Sequence, residues 1–300
     1  MSALDDRVAQ VGYDFAAREM EHVRACNLCG SEAHVEAARR DRYGFPAVYR
    51  VCARCGLGFL SPRLTAAEYG RFYENVYRPL VSAYHGRLID AVTVQAEQRA
   101  YADELVGFLG GVLSGPPQTV LDVGGSTGIV AGAVRDAFGS RPTVLDPAPD
   151  ELAVAAEAGM ATVAGFAEDT DLGPATFDLV LLCQTVDHLL DVAGTLAAIR
   201  RWVAPGGRLF VDALDVGFMM RRRGTVEGAV KIDHPYYLTR ETALAYLAQA
   251  GFEVAAERLS ADGHWGFVAA PAEPREPDWA RLRAAADRHL AELWALRAAG

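Results

Sequence analysis

From Thr119 to Pro271 the sequence alternates between strand-like and helix-like stretches, and this alternation limits the fold more than any other feature. The runs "TVLDV", "PTVLD", "ATVAG", "FDLVLLCQ" and "GRLFVDAL" are short and rich in β-branched or aliphatic residues. Between and after them, "TGIVAGAVRDAF", "DELAVAAEAG", "VAGTLAAIRRWV" and "TRETALAYLAQAG" carry apolar residues at helical spacing. Parallel neighbours need a long crossover, so strands that alternate with helices predict an α/β fold with a doubly wound, Rossmann-like sheet. The last two runs, "FEVAAERLS" and "HWGFVAAP", are separated by a short turn, which predicts one antiparallel strand.

Four cysteines stand outside this region. "CNLCG" and "CARCG" place Cys26 and Cys29, then Cys52 and Cys55, with twenty-two residues between the pairs. Each pair leads into a glycine, Gly30 or Gly56, so each forms a tight knuckle that aims two sulfurs at one point. Two such knuckles predict a closed, structural zinc ribbon rather than a catalytic metal. The chain therefore divides into an N-terminal segment (1–20), the ribbon (21–62), a helical linker or lid (63–115), the Rossmann-like domain (116–272) and a C-terminal helix (273–300). In the linker, Thr65 is the expected N-cap of "AAEYGRFYENVY", and "SAYHGRLIDAVTVQAEQRAYADELVGFLG" reads as one longer helix. The tail presents Trp279, Leu282, Ala286, Leu290 and Leu293 near one face.

A formal net charge of −10 argues against a nucleic-acid partner. No apolar run is long enough to span a membrane, and the first residues lack the form of a secretory signal, so the expected location is cytoplasmic, with no membrane partner. Arginine supplies nearly all positive charge, and Lys231 is the one lysine.

The turn "LDVGGSTG" carries the ligand question. Glycines between a strand and a helix let backbone amides approach a nucleotide-like group. The dinucleotide pattern G-x-G-x-x-G does not fit when aligned on Gly124, and the lysine of a phosphate-binding P-loop is absent. Asp122, two residues before Gly124, suits a ligand with a cationic end and would repel a pyrophosphate. Asp146 ends the next strand twenty-four residues later, where an acid can accept from ribose hydroxyls.

With "TVLDPAP", "GFAED", "FDLVLLCQTVDHLLD" and "WVAPGGRLFV" in order, residues 118–270 resemble class I S-adenosylmethionine-dependent methyltransferases. The family loop has a glycine where this chain has Ser126. The resemblance implies a seven-stranded sheet with an antiparallel last strand. It also implies S-adenosylmethionine held by Asp122, Gly124, Gly125, Gly128 and Asp146, with Phe166 and Ala167 flanking adenine and Gln184 and Tyr77 nearby. The upstream stretch "VCARCGLGFLSPRLTAAEYGRFYENVY" is similar to bacterial methyltransferases with an N-terminal zinc ribbon, including enzymes that methylate a carbon of nucleotide-linked sugars.

That resemblance points to "VKIDHPYYLT" for the proton-transfer group: His234 as base, Asp233 as its orienting partner, and Tyr73 from the segment after the ribbon. The sugar enzymes have a tyrosine where this chain has Lys231. His188 is the second candidate base. Arg221–Arg223 suits either an anion clamp or a solvated loop. The expected activity is methylation of a small molecule, a nucleotide-linked sugar or natural-product intermediate, at carbon, oxygen or nitrogen. A homo-oligomer is compatible with the sequence. The alternatives are an RNA-modifying or RNA-binding ribbon protein and a non-catalytic adaptor with the same fold.

Overall fold

The computed structural model describes residues 3–89 and 91–299. Helix α1 (Ala3–Gln10) precedes β1 (Met20–Glu21) and the ribbon strands β2 (His34–Ala38), β3 (Tyr49–Cys52) and β4 (Gly58–Leu60), with β5 (Arg63–Leu64) closing back on β1. Helices α2 (Ala66–Asn75), α3 (Tyr77–His85) and α4 (Ala91–Val112) follow. Thr65 caps α2 as expected, its hydroxyl accepting from the Glu68 amide at 3.4 Å. The long helix expected after it is interrupted. Gly86 takes a left-handed φ of 64° and ends α3, because a C-terminal glycine turns the chain out of the helix without side-chain strain.

The α/β region contains β6 (Thr119–Val123), α5 (Ile129–Phe138), β7 (Arg141–Asp146), α6 (Pro149–Glu157), β8 (Ala161–Ala164), β9 (Phe177–Leu182), α7 (Val192–Trp202), β10 (Val203–Leu214), α8 (Val216–Arg223), β11 (Tyr236–Tyr237), α9 (Arg240–Gln249), β12 (Phe252–Leu259) and β13 (His264–Pro271); α10 (Trp279–Ala299) ends it. Seven strands form one sheet in the order β12-β13-β10-β9-β6-β7-β8. All pairings are parallel except those of β13, which runs against both β10 and β12. The strand order reverses at β6, so connections leave it toward opposite faces and open a crevice at the carboxyl ends of the strands.

Strand periodicity sorts the core. Val120, Leu179, Leu181, Phe210 and Val268 pack with Leu105 and Leu109 of α4 and Val134 of α5. Leu121, Val123, Val180, Leu182 and Val211 belong to the core that holds Leu196, Ile199 and Trp202 of α7 and Tyr246 of α9. Each such side chain contributes about 1.5–3 kcal/mol by burial.

Strand β11 leaves the α/β region and pairs antiparallel with β4, Tyr236 opposite Phe59 and Tyr237 opposite Gly58. The ribbon is thus part of a four-stranded sheet that holds the loop before β11. The first knuckle docks too: Asn27 donates to Asp191 at 2.8 Å and accepts from the Tyr246 hydroxyl at 2.9 Å. On α10, Leu282, Ala286 and Leu293 are buried, with Trp279 and Leu290 packed at the margin, as the tail pattern predicts. Arg221–Arg223 lie in the last turn of α8, a helix not expected from the sequence, and Arg221 pairs with Glu292 at 3.0 Å on the surface.

Candidate active site

The glycine turn forms a cradle over a buried acid. Gly124, Ser126 and Gly128 have φ of 68°, 51° and 75°, while Gly125 has no left-handed φ. Ser126 therefore adopts the conformation that a glycine usually supplies. Its amide donates to Asp146 Oδ2 at 2.9 Å, and its hydroxyl bonds the Glu151 carboxylate, contacts that offset the strain. Gly125 serves a different need: a Cβ there would stand 2.7 Å from the Asp122 carboxylate. Beneath it, Asp122 is 1% exposed and neither of its oxygens has a full hydrogen-bond partner among the described residues. Burial pushes its carboxyl up to about 7, with the Ala131 amide of α5 offsetting part of that.

Asp146 ends β7 and also accepts from the Ala148 amide at 2.9 Å. The Phe166 ring is half exposed, whereas the Ala167 methyl is buried in the core and offers no adenine wall. Gln184, at the end of β9, has a φ of 50°, and its amide donates to the buried Asp212, which also accepts from Tyr101 at 2.7 Å. Cys183 is packed against the α4 side of the sheet. Tyr77 opens α3 with its ring 5.5 Å from that of Tyr73.

The expected proton-transfer residues come together, with one correction. His234 Nδ1 lies 2.9 Å from Asp187 Oδ2, while Asp233 Oδ2 stands 3.6 Å from Nε2 and makes no hydrogen bond to the ring. Asp187, not Asp233 as expected, is therefore the carboxylate bonded to the ring. Asp187 and His188 share a 3-10 turn, and Asp233 sits in a turn closed by the His234 amide donating to the Lys231 carbonyl at 3.2 Å, so neither acid bonds the ring next to it. His188 is engaged by the other adjacent acid only through main chain: its Nδ1 lies 2.7 Å from the Tyr73 hydroxyl and 2.9 Å from the Asp233 carbonyl. The two imidazoles meet edge to face at 4.5 Å.

Burial and the ammonium of Lys231 lower the His234 pKa to about 4, so the ring is neutral near pH 7. Burial disfavours the charged carboxylates of Asp187 and Asp233. Even so, the nearby His234 and Lys231 hold both below the usual carboxylate range. Lys231 Nζ is 3.2 Å from Asp233 Oδ2. Neither Asp187 nor Lys231 was among the expected catalytic residues. The signals were the Asp187-His188 pair and the isolation of the one lysine. Thr185 stands between this cluster and the cradle: a Cβ on Gly124 would lie 2.6 Å from its Cγ2, and its carbonyl accepts from the His188 amide at 2.9 Å.

Of the aromatic residues after His234, Tyr236 is buried and donates to the Leu190 carbonyl at 3.2 Å. The four ribbon cysteines also converge. Cys26 and Cys55 sulfurs are 3.5 Å apart, as are those of Cys29 and Cys52, and all four lie within 4.8 Å of one another. A tetrahedral zinc with bonds of about 2.3 Å needs sulfur separations of about 3.8 Å, so the set has the right size for that ion.

A doubly wound sheet of this strand order, with acids at the ends of two adjacent strands, defines an α/β protein whose crevice opens at the carboxyl ends of its strands. The family described as a methyltransferase domain matches residues 94–257, more than half of the sequence, and the chain belongs to that family. It is 34% identical over 106 residues to the ubiquinone biosynthesis O-methyltransferase of Methylocella silvestris, covering 32% of this chain and 40% of that protein. To the enzyme of the same name from Pseudomonas paraeruginosa it is 32% identical over 125 residues, 38% of this chain and 49% of that one. The chain thus spans less than half the length of these curated relatives. Among solved structures, the 1,6-didemethyltoxoflavin-N1-methyltransferase of Burkholderia thailandensis, with 1,6-didemethyltoxoflavin and S-adenosylhomocysteine bound, aligns with a TM-score of 0.50 at 21% identity, over 72% of this chain and 96% of its own. The PH0226 protein of Pyrococcus horikoshii OT3 aligns with a TM-score of 0.51 at 18% identity, over 58% and 91%. At these identities the likeness shows the fold.

Proposed function

We propose that this chain transfers a methyl group from S-adenosylmethionine to a small-molecule acceptor. The observation that carries the reading is the buried Asp122 carboxylate under Gly125, its oxygens without a full hydrogen-bond partner, in the same crevice as the Asp187–His234 pair. An orphaned carboxylate in a glycine cradle suits the ammonium of a methionine moiety. Asp146 keeps lone pairs for ribose hydroxyls beyond its two amide bonds, and the exposed Phe166 ring offers a face for adenine. The curated relatives are named for oxygen methylation and the solved relative for methylation of a ring nitrogen. The ribbon favours the finer reading of a carbon methyltransferase for nucleotide-linked sugars.

The bound cofactor supplies an electrophilic methyl group. Everything else falls to the chain. Asp187 accepts from Nδ1–H of His234 and so leaves the Nε2 lone pair to take a proton from the acceptor. Asp187 and Asp233 then flank the imidazolium. Tyr73 and His188, the more exposed pair, line the approach. Cys26, Cys29, Cys52 and Cys55 would hold a structural zinc that fixes the ribbon, with no open position for chemistry.

Calorimetry with S-adenosylhomocysteine, followed by transfer of labelled methyl to nucleotide-linked keto-sugars and phenols, tests the reading. His234→Gln is expected to lower transfer by ~10²–10⁴-fold with cofactor affinity unchanged. Absence of S-adenosylhomocysteine binding by the folded protein would overturn it.

A further inference from the structure

Lys231 is the only lysine in a sequence with 28 arginines. Elsewhere the chain places positive charge on guanidinium groups, which are broad, planar and too basic to lose a proton. The single ammonium is placed inside the candidate site, its side chain 14% exposed and Nζ 3.2 Å from Asp233 Oδ2. That same oxygen is 3.6 Å from His234 Nε2, and Asp187 Oδ2 is 2.9 Å from Nδ1 on the other side of the ring. Ammonium, carboxylate, imidazole and carboxylate thus form a row. The lysine backbone is clamped as well: the Tyr237 hydroxyl accepts from its N–H and donates to its carbonyl, each at 2.7 Å. Donor atoms of Asp187, His188 and His234 lie within 4.8 Å of one another, but Lys231 already brings positive charge to this spot.

We propose that Lys231 is a positioning residue for proton transfer: its ammonium balances Asp233, so that this carboxylate can stabilise the His234 imidazolium without charging the ring before the acceptor arrives. Without it, two buried carboxylates would flank one imidazole, and the resting ring would hold a proton. With it, Nε2 stays free. The acceptor's O–H or C–H bond breaks, an N–H bond forms at Nε2, and the electron pair left on the acceptor would displace the sulfur of bound S-adenosylmethionine from the methyl group, the carbon–sulfur pair staying on sulfur. This purpose rests on the methyltransferase reading, but its measurement does not.

The groups facing His234 are Asp187 and His188 from the turn after β9, Lys231 and Asp233 from its own loop, and the Tyr237 ring at 6.1 Å from β11. Arg42 from the ribbon lowers the Asp233 pKa, and Asp233 in turn raises those of Tyr73 and Tyr77 from the linker helices. Burial lowers the Lys231 pKa and Asp233 opposes that, while burial and Lys231 lower the His234 pKa.

Growth on lysine labelled with ¹³C at the ε-carbon gives a single side-chain resonance, because the chain has one lysine. It is expected to titrate below the ordinary 10.5 and lower still in Asp233→Asn. In ¹⁵N histidine spectra, the His234 signal, identified by its loss in His234→Gln, is expected to protonate at least one pH unit higher in Lys231→Met, with Lys231→Arg in between. An unchanged His234 titration in folded Lys231→Met would overturn the proposal. So would a lysine resonance that titrates like free lysine, a result the wild-type protein gives even if the variants fail to fold. These signals need neither cofactor nor acceptor, so failure of methyl transfer is read separately.

Discussion

Replacing Asp122 with asparagine is expected to stabilise the ligand-free protein while weakening cofactor binding. The carboxylate is 1% exposed, its oxygens lack full partners, and its pKa is raised from 3.8 to about 7, chiefly by burial. Between those pH values the unfolded chain has released the Asp122 proton and the folded chain has kept it. Stability therefore falls as pH rises from about 4 to 7 and levels off above that. At about 1.36 kcal/mol per pH unit, the full loss at pH 8 approaches about 4 kcal/mol. Asparagine keeps the shape and removes the charge, so it gains about 2–4 kcal/mol over wild type at pH 8 and almost nothing at pH 4. The same change deletes the charge-assisted contact to the methionine ammonium, worth about 1.5–3 kcal/mol, and weakens S-adenosylhomocysteine binding by about 10–100-fold. Urea unfolding without ligand at pH 4 and pH 8, with calorimetry at pH 8, measures both effects. An asparagine variant less stable than wild type at pH 8, or one that binds S-adenosylhomocysteine as tightly, would refute the cradle argument.

Gly125→Ala forces a methyl to within 2.7 Å of the Asp122 carboxylate and is expected to cost about 1–3 kcal/mol of stability; adding Asp122→Ala should restore stability by thermal unfolding but not S-adenosylhomocysteine binding. With saturating cofactor, kcat for methyl transfer is expected to fall on the acid side only as pH drops through about 4, because His234 must be neutral to act; an acid limb near 6.5 in the rate profile would place the base elsewhere. Treatment with a zinc chelator, or Cys55→Ser, is expected to reduce methyl transfer much more than S-adenosylhomocysteine affinity. The ribbon holds the His234 loop through β4 and β11, whereas the cradle stands on β6 and β7, so equal losses in both assays would count against that division.

The sheet and the glycine turn were legible because their determinants are local. Periodicity within each run assigns strand or helix, and Asp122, the glycines and Asp146 lie at strand ends that the sequence marks directly. Ser126 was legible only as a question, since the sequence does not say whether its hydroxyl and amide have partners to offset a left-handed φ; Glu151 and Asp146 provide them. The pairing of acids with histidines was not legible. The sequence shows two adjacent pairs, Asp187-His188 and Asp233-His234, and adjacency suggests partnership. The fold exchanges them, bonding His234 to Asp187 and His188 to Tyr73 and the Asp233 carbonyl, because each pair sits in a tight turn and the two turns face one another.

The ribbon's role also emerges only in three dimensions. The spacing of its cysteines predicts a metal knuckle, yet says nothing of what the knuckle holds. Strand β4 accepts β11 along an edge where Gly58 has no room for a side chain: a Cβ there would stand 2.4 Å from the Tyr49 hydroxyl and 2.9 Å from Tyr237 Cβ. Tyr237, seated by that close approach, clamps the Lys231 backbone. Asp41, in the loop between β2 and β3, accepts from the Ile232 amide at 3.3 Å, and the Arg42 amide donates to the Val230 carbonyl at 3.0 Å. The stretch from Val230 to Tyr237 is therefore fastened to the ribbon at several backbone points, while its His234 ring faces Asp187 and His188 of the α/β domain. A loop tied in this way keeps its geometry only while the ribbon keeps its own, so a metal held by the four cysteines would bear directly on His234.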